Sequence, residues 1–131
     1  MRAYVDTSAA AKLLQDEIES PAMVRFVNED DVDLVGTFLL ETELRRLANR
    51  SRISQATVTE LLSSVSLYPL VDADFAAAGL LPGELLRSLD ALHVQGAIAL
   101  RADCVVTYDA RLADACQQMG LPVVQPGVTA I

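Results

Sequence analysis

Long apolar runs are missing from this chain. Although 52% of its 131 residues are hydrophobic, no stretch approaches the roughly 20 uninterrupted apolar residues that a membrane-spanning helix needs. The amino end, Met1-Arg2-Ala3-Tyr4-Val5-Asp6, lacks the form of a secretory signal, because an acid interrupts it before an apolar stretch develops. A soluble, cytoplasmic protein with no membrane contact is the expectation. Cysteine is scarce: Cys104 and Cys116 show no CxxC spacing and have no histidine placed to complete a zinc set, so both read as buried free thiols. Positive charge is short as well, with 10 Lys and Arg against 18 Asp and Glu and a formal net charge of -8. That balance excludes nucleic-acid binding through a broad basic face. Any such activity must lean on bound cations or a local patch. No GxGxxG follows an apolar run, which removes a dinucleotide-binding reading. Nor is there an internal repeat, a low-complexity segment or a linker, and a single domain over residues 1–131 follows, with a core that needs no disulfide.

What is present is a rhythm of short apolar strands and amphipathic helices. Residues 2–5 form the first predicted strand, and a helix over 9–16 follows the capping residues Asp6, Thr7 and Ser8. Helices are expected over 21–28, from the cap Thr37 to about 49, and from the cap Ser54 to about 63. A strand over 32–35 ends at Gly36, and another over 67–71 carries Pro69, which points to a sheet edge. Asp72 caps a brief helix, residues 79–83 form a loop, and Ser88 caps an apolar helix to about 101. A strand over 104–107, a helix over 110–119 stopped by Gly120, and a strand over 121–124 complete the pattern. Strands apolar at every position belong to a parallel sheet covered on both faces. The predicted fold is a three-layer α/β/α sandwich around a mainly parallel sheet of about five strands.

Four carboxylates stand out against this frame. In Thr37-Phe38-Leu39-Leu40-Glu41-Thr42-Glu43-Leu44-Arg45, turning about 100° per residue puts Glu43 on the apolar side and Glu41 on the solvated side beside Arg45. A carboxylate on a buried stripe needs compensation, by a cation or by an ion pair with Arg46 or Arg50. Asp90 shares a face with Val94 and Ala97 on a helix apolar nearly all round, although its first-turn position also suits the helix dipole. Asp6 and Asp109 each follow an apolar strand and precede a helix. Such residues serve as N-caps, yet in an open parallel sheet the carboxyl ends of the strands also form the ligand crevice at the point where strand order reverses. If the 2–5 and 104–107 strands are neighbours, Asp6 and Asp109 would face one another. Carboxylates about 4 Å apart repel by roughly 4 kcal/mol at an effective dielectric near 20, so a convergent set calls for protons or a cation. With no His or Cys ligand set, a hard ion such as magnesium fits, able to activate water at a phosphodiester.

The chain resembles the PIN-domain family, and within it the VapC-type toxin ribonucleases. The resemblance is carried by Tyr4-Val5-Asp6-Thr7-Ser8, Glu43-Leu44-Arg45-Arg46, Leu86-Arg87-Ser88-Leu89-Asp90-Ala91-Leu92-His93, Val106-Thr107-Tyr108-Asp109 with Arg111-Leu112, and Gly120-Leu121-Pro122-Val123-Val124. It spans nearly the whole chain. It implies Mg2+- or Mn2+-dependent cleavage of RNA, with Asp6, Glu43 and Asp90 as the principal acidic set and Asp109 as the fourth member. It also implies a homodimer and a cognate VapB-type antitoxin whose tail blocks the acidic pocket.

Supporting roles stay open on sequence alone. Thr7, Ser8 and Thr107 either orient carboxylates and water or act as caps and strand ends. His93, the sole histidine, reads as a core or helix-packing residue rather than a catalytic base, and Asp114 as solvated. Arg45, Arg46, Arg50 and Arg52 form the only basic cluster, which either guides RNA phosphates or balances neighbouring acids. A haloacid-dehalogenase reading fails because it needs a second Asp where Ser8 stands. A phosphoacceptor receiver would want an acidic pair near the first strand, which is absent. The remaining alternative is a non-catalytic PIN-like module that binds RNA or protein, against which the intact acidic set weighs.

Overall fold

The computed structural model describes residues 1–128. Five strands form one sheet: β1 (Arg2–Val5), β2 (Asp33–Thr37), β3 (Ser66–Tyr68), β4 (Cys104–Val106) and β5 (Val123–Val124). Their order is β3-β2-β1-β4-β5 and every pairing is parallel. The helices are α1 (Thr7–Ala11), α2 (Ser20–Val27), α3 (Phe38–Ser51), α4 (Gln55–Leu62), α5 (Asp72–Gly79), α6 (Ser88–Ala99) and α7 (Ala110–Gln118).

Strand periodicity sorts the core into two layers. Ala3, Val5, Cys104 and Val106 face α1 to α4, packing with Ala9, Met23, Leu40, Leu44 and Val58. Tyr4, Val35 and Val105 point to the other face, against Val94 and Ala97 of α6 and Leu112 and Cys116 of α7. Successive side chains of a strand alternate between faces, so a central strand covered twice must be apolar throughout. The expected three-layer sandwich is the observed one. Cys104 and Cys116 are buried free thiols, as anticipated. β3 lies at the sheet edge, with Pro69 just beyond its end.

Several boundaries differ from the sequence-based expectation, each for a local reason. α1 stops at Ala11 rather than running to residue 16. Beyond it the amides of Lys12, Leu13 and Leu14 bond three residues back, to the carbonyls of Ala9, Ala10 and Ala11, so the chain tightens out of the α-helical pattern. β2 does not close at Gly36, because Gly36 and Thr37 pair with Leu67 and Tyr68 of β3. Thr37 holds the N-cap position of α3, but its hydroxyl makes no capping bond and lies 3.5 Å from Tyr4 Oη. At α5 the cap position falls to Val71 rather than Asp72, because Asp74 reaches back to accept from the Val71 amide at 3.0 Å. At α6 it falls to Arg87 rather than Ser88.

One glycine fixes how closely α6 approaches the sheet. A Cβ at Gly96 would lie 2.5 Å from Thr37 Cγ2 and 3.1 Å from Tyr4 Oη. Only a bare backbone fits there, and it sets α6 directly over β1 and β2.

Candidate active site

Strand order reverses between β1 and β4, and the acidic residues gather at that reversal. The register matches Tyr4 with Val105 and Val5 with Val106. The next residues, Asp6 and Thr107, therefore emerge side by side. Thr107 Oγ1 donates to Asp6 Oδ2 at 2.5 Å, while Ser8 Oγ and the Ala9 amide donate to Oδ1 at 2.7 and 2.9 Å. Asp6 is 4% exposed, and no described ion pair includes it. Burial raises its pKa above the usual carboxylate range, against the downward pull of these three hydrogen bonds and of His93. A carboxylate held only by neutral donors in a buried crevice lacks a positive partner.

Glu43 projects from α3 toward the same end of the sheet. Thr7 Oγ1 donates to Oε1 at 2.9 Å, and His93 Nε2 approaches the same oxygen at 2.7 Å. Among the described residues Oε2 accepts no hydrogen bond, and the side chain is partly exposed. Burial would raise the Glu43 pKa, but the hydrogen bonds from His93 and Thr7 hold it below the ordinary value. The expected alternative of an ion pair with Arg46 or Arg50 is not what the structure shows, since both arginines are exposed and unpaired with Glu43. The partner on α6 claims the carboxylate instead.

Asp90 lies in the first turn of α6, partly exposed and, among the described residues, without a hydrogen bond or ion pair. A helix that precedes a parallel strand begins at the carboxyl end of the sheet, so Asp90 sits at the same end as Asp6. Asp109 is exposed, and its Oδ1 caps α7 through the Leu112 amide at 3.0 Å. The expected facing of Asp6 and Asp109 is taken by Thr107, because the register puts Thr107 opposite Asp6 and Asp109 two residues beyond. Among the described residues, no three His, Cys, Asp or Glu side chains close around a point that could hold an ion. Among the described residues the oxygens at this end with no hydrogen bond are Glu43 Oε2, those of Asp90 and Asp109 Oδ2, and the donor set consists of oxygens alone, since both nitrogens of His93 are engaged. Such a set suits a hard cation that keeps several waters and takes one or two carboxylates.

The remaining candidates separate cleanly. Arg45 is committed to Glu41 at 3.1 Å and to Gln55 and Thr59, whereas Arg46, Arg50 and Arg52 are exposed. Asp114 is exposed and accepts only from Gln118, four residues on. Sequence reasoning missed Tyr4, which was read only as strand core. Its hydroxyl meets His93 Nδ1 at 2.7 Å, and burial raises the phenol's pKa well above its usual value, keeping it protonated. His93 is buried at 4% exposure, yet it links two polar groups as well as packing. The available signal was a lone imidazole on an apolar helix, which needs partners for both nitrogens.

Comparison with known proteins agrees with this architecture. The PIN domain family matches residues 3–117. The chain is 31% identical to ribonuclease VapC35 of Mycobacterium tuberculosis over 131 residues, covering 95% of this chain and 96% of that one. Its fold is similar to the crystal structure of Mycobacterium tuberculosis VapC20, a sarcin-ricin loop cleaving toxin, with a TM-score of 0.74 at 18% identity over 95% and 99% of the two chains. It is also similar to VapBC2 from Rickettsia felis bound to a promoter DNA fragment, with a TM-score of 0.72 at 15% identity over 95% and 98%.

Proposed function

This chain belongs to the PIN-domain family, and from that premise we propose that it is a metal-dependent endoribonuclease, the toxin of a toxin–antitoxin pair. Asp6 is the observation that carries the reading: a carboxylate buried at the strand-order reversal, oriented by three neutral donors and left without a positive partner. An ionised carboxylate is costly in the crevice unless a cation offsets its charge or a proton neutralises it.

The residues fit a hard divalent ion, Mg2+ or Mn2+. Asp6, Glu43 and Asp90 would hold it, and Asp109 at the exposed rim adds negative charge. When bound, such an ion polarises a phosphoryl oxygen and acidifies a water. Thr107 and Ser8 fix the Asp6 carboxylate, and Thr7 fixes that of Glu43. Arg46 and Arg50, exposed on α3, supply the local positive charge that an acidic chain needs to draw RNA phosphates in. The same reading takes the chain as one cytoplasmic domain, working as a homodimer and neutralised by a VapB-type antitoxin. No helix among the described residues is long and apolar enough to cross a membrane.

The test is cleavage of a structured RNA pool by metal-stripped protein with magnesium or manganese restored, beside Asp6→Asn and Asp90→Asn proteins of equal fold. Metal-dependent cutting lost in both variants supports the nuclease. Absence of both cutting and divalent-ion binding in the parent would replace it with the non-catalytic module that binds RNA or protein.

A further inference from the structure

The chain of contacts Tyr4 Oη, His93, Glu43 Oε1 crosses from the sheet face under α6 to α3 on the opposite layer. Tyr4 Oη lies 2.7 Å from Nδ1 and Glu43 Oε1 lies 2.7 Å from Nε2. For a neutral imidazole the chemistry of its ends sets the direction of the chain. An ionised carboxylate accepts only, so Nε2 must carry a hydrogen toward Glu43. In the neutral ring Nδ1 then accepts, and the buried Tyr4 hydroxyl is the donor placed to supply it. The two rings meet edge to face, with centroids 5.8 Å apart at 74°. Gly96, one turn further along α6, leaves the space for Tyr4 to reach the helix. Thr7 binds the same Oε1 from the other side. Both protein donors therefore fall on one oxygen of Glu43, and Oε2 is turned free.

We propose that Tyr4 and His93 are positioning residues: Tyr4 sets the His93 tautomer, and His93 with Thr7 pins Glu43 Oε1 so that Oε2 is presented to the divalent ion. The proposal rests on the metal-dependent reading above. It also makes α6 a common support, since that helix carries Asp90 and, three residues later, the histidine that orients Glu43. Groups that orient a metal-binding carboxylate typically change metal affinity or activity by about 10- to 100-fold when removed.

The experiment is a Mn2+ titration by calorimetry of the parent, Tyr4→Phe, His93→Leu, His93→Gln and Asp6→Asn proteins. It is accompanied by 15N NMR of the metal-free imidazole and by thermal unfolding to establish equal fold. His93→Leu should weaken Mn2+ binding by about 10- to 100-fold. His93→Gln, whose amide N–H can reach Oε1, should recover most of that loss. A residue that merely fills space would be rescued by neither polarity nor reach. Tyr4→Phe should move the 15N signals of His93 away from a single Nε2–H tautomer and weaken Mn2+ binding less than His93→Leu. In RNA cleavage at saturating RNA and subsaturating metal, the variants should recover rate when metal is raised, leaving the KM for RNA unchanged. If His93→Leu unfolds, Tyr4→Phe and His93→Gln decide the question. Parent-like Mn2+ affinity and an unmoved imidazole spectrum in Tyr4→Phe, or a Gln variant that loses as much as Leu, would overturn the positioning roles while leaving the metal site standing. A parent that binds no Mn2+ in an Asp6-dependent way would overturn the metal reading itself, and this inference with it.

Discussion

Two buried aspartates sit in different corners of the molecule with nearly the same exposure, Asp6 at 4% and Asp74 at 5%. Each accepts three hydrogen bonds. Asp74 receives the Val71 amide and the Tyr68 hydroxyl at 3.0 Å on one oxygen and Gln95 Nε2 at 3.1 Å on the other. Its donors, led by the Val71 amide and Gln95, outweigh desolvation and hold its pKa below the usual value. At Asp6 the balance reverses, with burial outweighing Thr107, Ser8 and the Ala9 amide. The difference lies in where they are. Asp74 knits β3 to α5 and α6 near the sheet edge, whereas Asp6 stands at the end of the central strand, enclosed between layers. One is a finished structural knot. The other is a deeply enclosed carboxylate whose ionised form burial disfavours despite its three hydrogen bonds.

The largest effect should come from substituting each aspartate by its amide. Asp6→Asn is expected to cut RNA cleavage at least about 100-fold, the rate equivalent of roughly 3 kcal/mol of lost transition-state stabilisation. It should also keep or raise the melting temperature at neutral pH, because an amide needs no counter-charge and Thr107 can turn to accept from it. Asp74→Asn is expected to do the reverse, lowering the melting temperature while leaving cleavage near the parent rate. Equal behaviour of the two variants in both assays would break the comparison.

Gly96→Ala tests whether the close approach of α6 matters to the site. With Thr37 Cγ2 only 2.5 Å from the new Cβ, overpacking should destabilise the protein by about 1–3 kcal/mol. Because the same shift moves His93 and Asp90, Mn2+ affinity should fall together with stability. Denaturant unfolding and metal titration on one preparation check both, and parent-like metal affinity in a destabilised protein would uncouple α6 from the site.

Stability against pH sharpens the contrast with a sign for each group. Asp6 has a raised folded pKa, so its contribution is fully present below the unfolded carboxylate pKa and is lost as pH rises through the folded value. Asp74 has a lowered one, so its contribution is present above the unfolded pKa and is lost as pH falls through the folded value. Metal-free parent should therefore lose stability on the alkaline side of the ordinary carboxylate range, and Asp6→Asn should not. Saturating Mg2+ should remove that loss in the parent. Melting curves across pH, with and without metal, give the answer.

The smallest effect concerns the basic patch. Joint replacement of Arg46 and Arg50 by Ala should leave melting unchanged and reduce the slope of log affinity against log salt for single-stranded RNA by about 1.4, two phosphate contacts' worth. An unchanged slope would remove these arginines from RNA guidance. Arg45, tied to Glu41, Gln55 and Thr59, is left out of that test because its loss would disturb α3 and α4.

The candidate carboxylates were legible because they break local rules. Asp6 follows the apolar run Ala3 to Val5, Glu43 interrupts the buried stripe of α3, and Asp90 interrupts an apolar helix. The three-layer architecture followed from the alternation of strands and helices, and the sheet edge from Pro69, whereas the strand order came only from the structure. What stayed hidden depends on partners distant in sequence. Tyr4 and His93 are 89 residues apart, and nothing local distinguishes a tyrosine that packs from one that also directs a hydrogen bond. The facing of Asp6 by Thr107 rather than Asp109 turns on strand register, which composition does not set. The long β2 reflects β3 pairing with Gly36 and Thr37, a tertiary contact that overrides local propensity.

The central claim is that the Asp6 crevice is completed by a divalent cation. Calorimetric titration of Mn2+ into metal-stripped parent, Asp6→Asn and Asp74→Asn tests it most directly. The account predicts saturable binding in the parent and in Asp74→Asn and its loss in Asp6→Asn. Binding that survives in Asp6→Asn, or that is absent from the parent, would contradict it.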